Sequence, residues 1–226
     1  MEKRFHTDLP DYNTGHLLED QMLGVVNEAR YMTEYQRQKE FEKEPAENSI
    51  ADYKSFIENT YATFDEALNI ARRSQPEGYD PADPNMKFGF ANDLHAVIAE
   101  KLSPEDYSKL KLYTAVNSHL DIYHSSDAFF ELETSDPATG RKFYAIVTLD
   151  VTLNPQKREG KADVTFTCPK EGLDRASDPT AYISAYKKLA EQIEKKLEVK
   201  IKDGNLYYPI QKGDSTFLKK YHYKIA

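Results

Sequence analysis

Two segments rich in aromatic and β-branched residues constrain the fold of this chain more than any other feature. They read HSSDAFFELE and KFYAIVTLDVTLN, and the segment TSDPATGR lies between them. The Asp-Pro and Thr-Gly pairs are turn formers, so the three segments together predict a β-hairpin. A third segment, KADVTFTC, predicts one more strand. The fold is therefore built around a β-sheet.

Most of the remaining chain has apolar residues at helical spacing. Within the second predicted helical region, Thr63 and Glu66 form a capping-box pattern, which predicts a kinked pair of helices. The tyrosine-rich end, with LYYPI, predicts at most one short strand. The expected fold class is α/β (α+β), with a mixed central β-sheet flanked by helices and an N-terminal helical region. Helices are predicted over residues 15–43, 49–73, 88–102, 104–116 and 178–198.

The segment SQPEGYDPADPN, residues 74–85, marks the expected division of the chain. Three prolines and a glycine predict a linker or a long loop. Everything before it has a helical pattern, and everything after it mixes strands and helices. We therefore predict an N-terminal helical region over residues 1–85 and an α/β core over residues 86–226.

Charge and composition narrow the classes of function. The net charge of −8 argues against broad nonspecific binding to nucleic acid. Residues 187–226 nevertheless carry +5, which leaves room for a restricted phosphate contact or simply forms a solvated, lysine-rich helix face. No segment approaches the ~18 apolar residues of a membrane span. No secretory signal is visible and Cys168 is the only cysteine, so we expect a cytoplasmic protein.

Two acids at the predicted hairpin are candidates for metal binding. Asp150 interrupts the apolar run IVTLDVTLNP, and a carboxylate within a strand is costly unless something compensates its charge. Asp127 stands just before the preceding strand, so a hairpin can bring the two carboxylates together. Oxygen ligands of this kind suit Mg²⁺, which can activate a water and stabilise charge on a phosphodiester. A closed turn at Asp127 and a structural hydrogen bond of Asp150 are the alternatives.

The stretch from Glu100 through HSSDAFFELE to VTLDVTLNP resembles the PD-(D/E)XK nuclease-like superfamily. The resemblance implies a core of helix, three strands, helix and strand over about residues 88–210. It also implies that Glu100 is the helix acid, Asp127 the strand-start acid and Asp150 the acid of the third motif. Asp93, on the same helix, is a rival for Glu100. The resemblance implies a Mg²⁺ site formed by Asp127 and Asp150 and hydrolysis of DNA or RNA.

The third motif departs from that superfamily at the position of its lysine. The family has lysine two residues after the acid, whereas this chain has Thr152, which can form a hydrogen bond but carries no charge. Lys157 or Lys161 can replace it if the chain turns back after Asn154. Whether the protein is an enzyme therefore stays open. The alternative is a catalytically inactive binding or assembly protein whose N-terminal helices contact a protein partner.

A second group of residues offers different metal chemistry. His119, Asp121, Tyr123, His124 and Asp127 lie within nine residues, and imidazole with carboxylate suits zinc, manganese or iron. Their spacing matches no established metal motif. A polar connection between a helix and a strand is the alternative interpretation of this segment.

Overall fold

A computed structural model describes residues 14–42, 52–102, 107–156, 161–169, 173 and 175–223. Within these ranges the chain forms seven α-helices, one 3₁₀ turn and six strands. The helices are α1 Thr14–Leu23, α2 Glu28–Glu42, α3 Tyr53–Asn59, α4 Phe64–Arg73, α5 Gly89–Lys101, α6 His119–His124 and α7 Pro179–Lys202. The strands are β1 Leu110–Thr114, β2 Ala128–Ser135, β3 Lys142–Thr152, β4 Val164–Thr167, β5 Asn205–Lys212 and β6 Ser215–His222.

All six strands belong to one mixed sheet with β3 at its centre. The main order is β1-β2-β3-β5-β6, with antiparallel neighbours, and β4 pairs with β3 in parallel. The predicted hairpin is β2 and β3, in which Ala128 lies opposite Leu149. Since β2 occupies one edge of β3, both β4 and β5 lie on its other edge. The predicted α+β fold with a mixed central sheet is confirmed.

Helices cover both faces of this sheet. One core lies between the sheet and helices α1, α5 and α7, and it contains Val147, Leu149 and Val151 of β3. The other core lies between the sheet and helices α2, α3, α4 and α6, and it contains Ile146. Alternation along the strand places Asp150 on the face of Ile146. Helices that precede residue 85 pack on both faces of this sheet. The boundary predicted at residue 85 therefore marks a change of pattern along the sequence, and the chain before and after it packs on the same sheet.

The single helix predicted over residues 15–43 is wrong, because α1 and α2 are separate. Gly24 ends α1 with a positive φ of 77°, a conformation that residues with a Cβ rarely adopt. A Cβ on Gly24 would also lie 2.7 Å from the ring of Phe88. The predicted kinked pair is confirmed as α3 and α4, and the capping box of Thr63 and Glu66 is present.

The helix predicted over residues 104–116 is also wrong where the chain is described. A 3₁₀ turn covers Tyr107–Lys109, and β1 follows it at once. Leu110 and Leu112 point into the core and pair with Leu132 and Phe130 of β2, so tertiary pairing overrides the local helical pattern. Two strands, β5 and β6, form where the tail predicted at most one. Four strands therefore lie between α5 and α7, not three.

Candidate metal centre

Asp127 lies in the turn between α6 and β2 and is buried, with only 3% of its surface exposed. Its backbone N–H donates to the carbonyl oxygen of Leu149 over 2.8 Å, and its carbonyl oxygen accepts from the N–H of Ala115 over 2.7 Å. Its carboxylate oxygen Oδ2 accepts from the N–H of Val151 over 2.5 Å. These contacts fix the carboxylate beside the C-terminal half of β3.

Two further carboxylates, of Glu19 and Asp121, meet Asp127 at this point. One oxygen from each of the three side chains lies within 4.8 Å of the other two. Glu19 comes from α1 and Asp121 from α6, and both are half-buried. Asp121 also accepts the N–H of Asn117 over 2.8 Å, which holds the start of α6 in place. Carboxylate oxygens this close together can bind one divalent cation.

The electrostatics of Asp127 fit a site for a cation. Burial raises the pKa of its carboxyl group well above the usual value, and the charges of Asp121 and then Glu19 raise this pKa further. The hydrogen bond from Val151 lowers the pKa, and the charge of Asp150 raises it. A positive charge at this point would offset the repulsion between the carboxylates.

Asp150 is buried on β3, with 2% of its surface exposed, and it pairs with Thr165 of β4. Its charge acts on Asp127, so the hairpin does bring these two acids near each other. Within the described ranges, however, the three oxygens that meet belong to Glu19, Asp121 and Asp127. The shared Mg²⁺ site of Asp127 and Asp150 stays a prediction, with two additional acids beside it.

The structure does not bring Glu100 to these carboxylates. Glu100 is exposed on α5, and its charge acts on Tyr186 of α7. Helix α5 packs over the sheet face that carries Val147, whereas Asp150 points to the opposite face. The rival Asp93 accepts hydrogen bonds from Tyr182 over 2.9 Å and from Arg175 over 3.3 Å, so it joins α5 to the region of α7.

The two candidate lysines have different outcomes. Lys157 lies outside the described residues. The ammonium group of Lys161 donates to the carbonyl oxygen of Tyr123 over 2.9 Å, at the C-terminal end of the helix that carries Asp121. Thr152 accepts the N–H of Asn154 over 3.1 Å and shapes the turn after β3.

The histidines of the second group have structural partners. His119 is fully buried; its Nδ1 lies 3.1 Å from the hydroxyl of Tyr31, and its Nε2 lies 2.9 Å from the hydroxyl of Thr60. Burial lowers its pKa to about 4, so the ring is neutral at pH 7. Nε2 of His124 lies 3.0 Å from the carbonyl oxygen of Ala62. Only Asp121 and Asp127 of this group contribute to the carboxylate cluster.

Sequence reasoning missed Glu19. It lies in an ordinary helical pattern far from the hairpin, and no motif surrounds it. Asp121 stood beside two histidines, which drew attention to zinc-type ligands. In the folded chain it is the acids of that segment, Asp121 and Asp127, that meet Glu19 of α1.

Neither a protein-family model, nor a curated protein, nor a solved structure matches this chain. The resemblance to PD-(D/E)XK nucleases is therefore a prediction that depends on the residues alone. In the part of the chain that the structure describes, the helices are too short or too polar to cross a membrane.

Proposed function

We propose that the protein binds a divalent cation through Glu19, Asp121 and Asp127 and uses it to hydrolyse phosphodiester bonds in nucleic acid. The observation that carries this proposal is the convergence of three carboxylates at the buried Asp127, within 4.8 Å of one another. Mg²⁺ is the cation that we propose, since it prefers oxygen ligands and retains several waters.

When bound, such a cation would activate a water and stabilise negative charge on the phosphodiester. The chain itself fixes the ligands. The N–H of Val151 orients the carboxylate of Asp127, and the N–H of Asn117 orients that of Asp121. Asp150 adds negative charge beside them. Glu19 and Asp121 are half-buried, whereas Asp127 is buried.

A catalytically inactive binding or assembly protein is the second candidate, and the position of Lys161 favours it. The carbonyl group of Tyr123 already holds the ammonium group of Lys161, and Thr152 supplies no charge. In this reading the cation, if bound, would stabilise the contact between α1, α6 and the sheet. The partner would be a protein that contacts the N-terminal helices.

Titration calorimetry with Mg²⁺ and Mn²⁺ tests the metal site. We expect binding to the wild type and loss of at least about tenfold in affinity in Asp127→Asn, since one of three charged ligands becomes neutral. Asp214→Asn, at the exposed turn between β5 and β6, is the matched control and should bind as the wild type does. Equal binding by all three proteins would place the metal elsewhere and contradict the proposal.

Cleavage of end-labelled single- and double-stranded DNA and RNA, with and without EDTA, separates the two candidates. The nuclease proposal requires Mg²⁺-dependent cleavage that Asp127→Asn lacks and Asp214→Asn retains. Metal binding without cleavage of any of these substrates supports the inactive binding protein. Cleavage that persists in Asp127→Asn would point to a contaminating nuclease and remove support for the enzyme.

A further inference from the structure

The outer edge of β3 has an opening between its two neighbours. β5 pairs with β3 at Tyr144, and β4 pairs with it only from Leu149 onward. Between these points, the carboxylate of Asp163 takes the place of a strand, because it accepts the N–H of Thr148 over 3.0 Å. The N–H of Asp163 in turn donates to the hydroxyl of Thr148 over 2.9 Å. The residue Asp163 thus satisfies this part of the edge of β3 in place of a strand, and a cleft remains beside it.

This cleft has a volume of about 240 Å³, several times the ~30 Å³ that one water takes up. It is lined by three lysines from three different elements. Lys161 precedes β4, Lys200 lies near the end of α7, and Lys220 lies on β6 opposite Tyr207. We call this space the lysine cleft, and its lining residues are Phe64, Ile146, Thr148, Lys161, Asp163, Lys200, Tyr207 and Lys220.

Only one of the three ammonium groups is neutralised. Lys200 forms an ion pair with Asp163 over 2.7 Å, and this is the one carboxylate in the lining. Lys161 contacts the uncharged carbonyl group of Tyr123. The ammonium group of Lys220 forms no ion pair with any described residue. Two lysines of the lysine cleft therefore form no ion pair with a described residue, in a chain whose net charge is −8.

Like charges are placed together in a concave site at a cost, and an anion removes that cost. A phosphate monoester carries about −1.5 to −2 at pH 7, which matches the two lysines that form no ion pair better than a carboxylate or a phosphodiester does. The rings of Phe64 and Tyr207 line the rest of the cleft. The hydroxyl of Thr148 also lies there, but it donates to the carboxylate of Asp163 over 3.2 Å. Aromatic rings beside a phosphate site suit the ring of a base.

We propose that the lysine cleft binds a phosphate monoester between Lys161 and Lys220, with the attached group against Phe64 and Tyr207. A free mononucleotide and the phosphorylated end of a nucleic-acid strand share this chemistry. The site is separate from the carboxylate group at Asp127 and does not depend on a metal there.

Calorimetric titration in a phosphate-free buffer at low salt tests this proposal with four probes. Inorganic phosphate and adenosine 5′-monophosphate should bind, and adenosine should not. The nucleotide should bind more tightly than phosphate because its ring has aromatic neighbours. A 5′-phosphorylated oligonucleotide, compared with its 5′-hydroxyl form, shows whether a strand end can serve as the source. Absence of binding by both phosphate and the nucleotide would overturn the proposal.

Variants locate the site. Lys220→Gln should weaken nucleotide binding by about tenfold, the loss typical of one charge-assisted hydrogen bond. Lys219→Gln, one residue away and outside the cleft, makes the same change in net charge and should bind normally. Lys161→Gln repeats the test on a second element. Equal losses in the variants at Lys219 and Lys220 would mean diffuse attraction to the surface and would contradict a built site.

Discussion

Two buried polar groups, one in α6 and one in the turn that follows α6, differ in the chemistry of their neighbours. Around His119, each ring nitrogen faces a hydroxyl group, and the ring is neutral at pH 7. Around Asp127, the neighbours are carboxylates, which repel one another. The first arrangement is complete without a ligand, whereas the second brings three carboxylates within 4.8 Å of one another, where we propose that a cation binds. Polar residues that look alike in sequence thus form a closed hydrogen-bond network in one place and a cluster of carboxylates in the other.

The hydrogen bonds around His119 also fix its tautomer. Burial raises the pKa of Tyr31, so its hydroxyl stays protonated and can donate to Nδ1 of His119. That hydroxyl accepts the backbone N–H of His119 as well, over 3.2 Å. The hydroxyl of Thr60 donates to the carbonyl oxygen of Phe56 and is left to accept from Nε2–H. Every polar atom of the network has a role, as expected for a structural site.

Replacing His119 should cause the largest loss of stability. His119→Ala removes a ring that packs beside Tyr35 and Phe56 and leaves two buried hydroxyl groups without their partner. We expect the free energy of unfolding to fall by about 3 kcal/mol or more. Denaturant titration measures it. His124→Ala, which loses one hydrogen bond and two ring contacts at a half-buried site, should cost clearly less.

Mild acid should destabilise the protein through the same histidine. Its pKa is about 4 when folded and about 6.5 when unfolded. Between these values the unfolded chain binds more protons, so stability is complete above pH 6.5 and falls by about 3 kcal/mol as the pH drops toward 4. Denaturant titrations from pH 7.5 to about 4 measure this loss.

Asp127 has the opposite effect on the pH dependence of stability over part of that range. Because its pKa is raised, the folded state binds more protons at this group than the unfolded chain does. Stability should therefore fall more steeply in acid in the variant Asp127→Asn than in the wild type. A loss of unchanged or smaller slope in that variant would contradict the raised pKa of Asp127. His119→Gln should flatten the loss, since it removes the titrating ring.

Metal binding should stabilise the protein only through the carboxylates of Glu19, Asp121 and Asp127. A cation that binds the folded state raises stability by about 2.7 kcal/mol at 100 times its dissociation constant. We expect Mg²⁺ or Mn²⁺ to raise the melting temperature of the wild type clearly more than that of Asp127→Asn. His124→Ala should keep the full increase, because His124 is not one of the three cluster residues. An equal increase in Asp127→Asn would show binding outside this group.

The sequence predicts features that depend on neighbours along the chain. The hairpin follows from the turn formers between β2 and β3, and the capping box from the spacing of Thr63 and Glu66. Asp127 and Asp150 were visible as acids at or within a strand. These signals are local, so the rest of the fold does not change their meaning.

The features that sequence reasoning missed come from distant parts of the chain. β1 forms because Leu110 and Leu112 pair with the edge of β2. No local pattern in the sequence predicts this pairing. Glu19 reaches Asp127 only because Gly24 ends α1, so that α1 and α2 can take separate positions. The lysine cleft combines residues that lie far apart in sequence. Such sites become visible once the strand order is known.

The smallest expected effect is a gain of stability from Asp127→Asn in the absence of metal. Asparagine keeps an oxygen that can accept the N–H of Val151, but it removes a carboxyl group whose ionisation is opposed by burial and then by the charges of Asp121 and Glu19. We expect the free energy of unfolding at pH 7 to rise by about 1–2 kcal/mol, within the range for relieving a buried, unpaired charge. Asp214→Asn should change it by less than about 0.5 kcal/mol.

This gain distinguishes a binding site from a structural one. If the carboxylate of Asp127 were needed for the fold, its neutral replacement would destabilise the metal-free protein, as His119→Ala does. If the carboxylates are held together for a ligand, the variant is more stable without metal and loses that advantage when Mg²⁺ stabilises the wild type. Urea titrations of both proteins with and without Mg²⁺ therefore measure whether the carboxylate of Asp127 lowers the free energy of unfolding without metal and raises it when Mg²⁺ is bound.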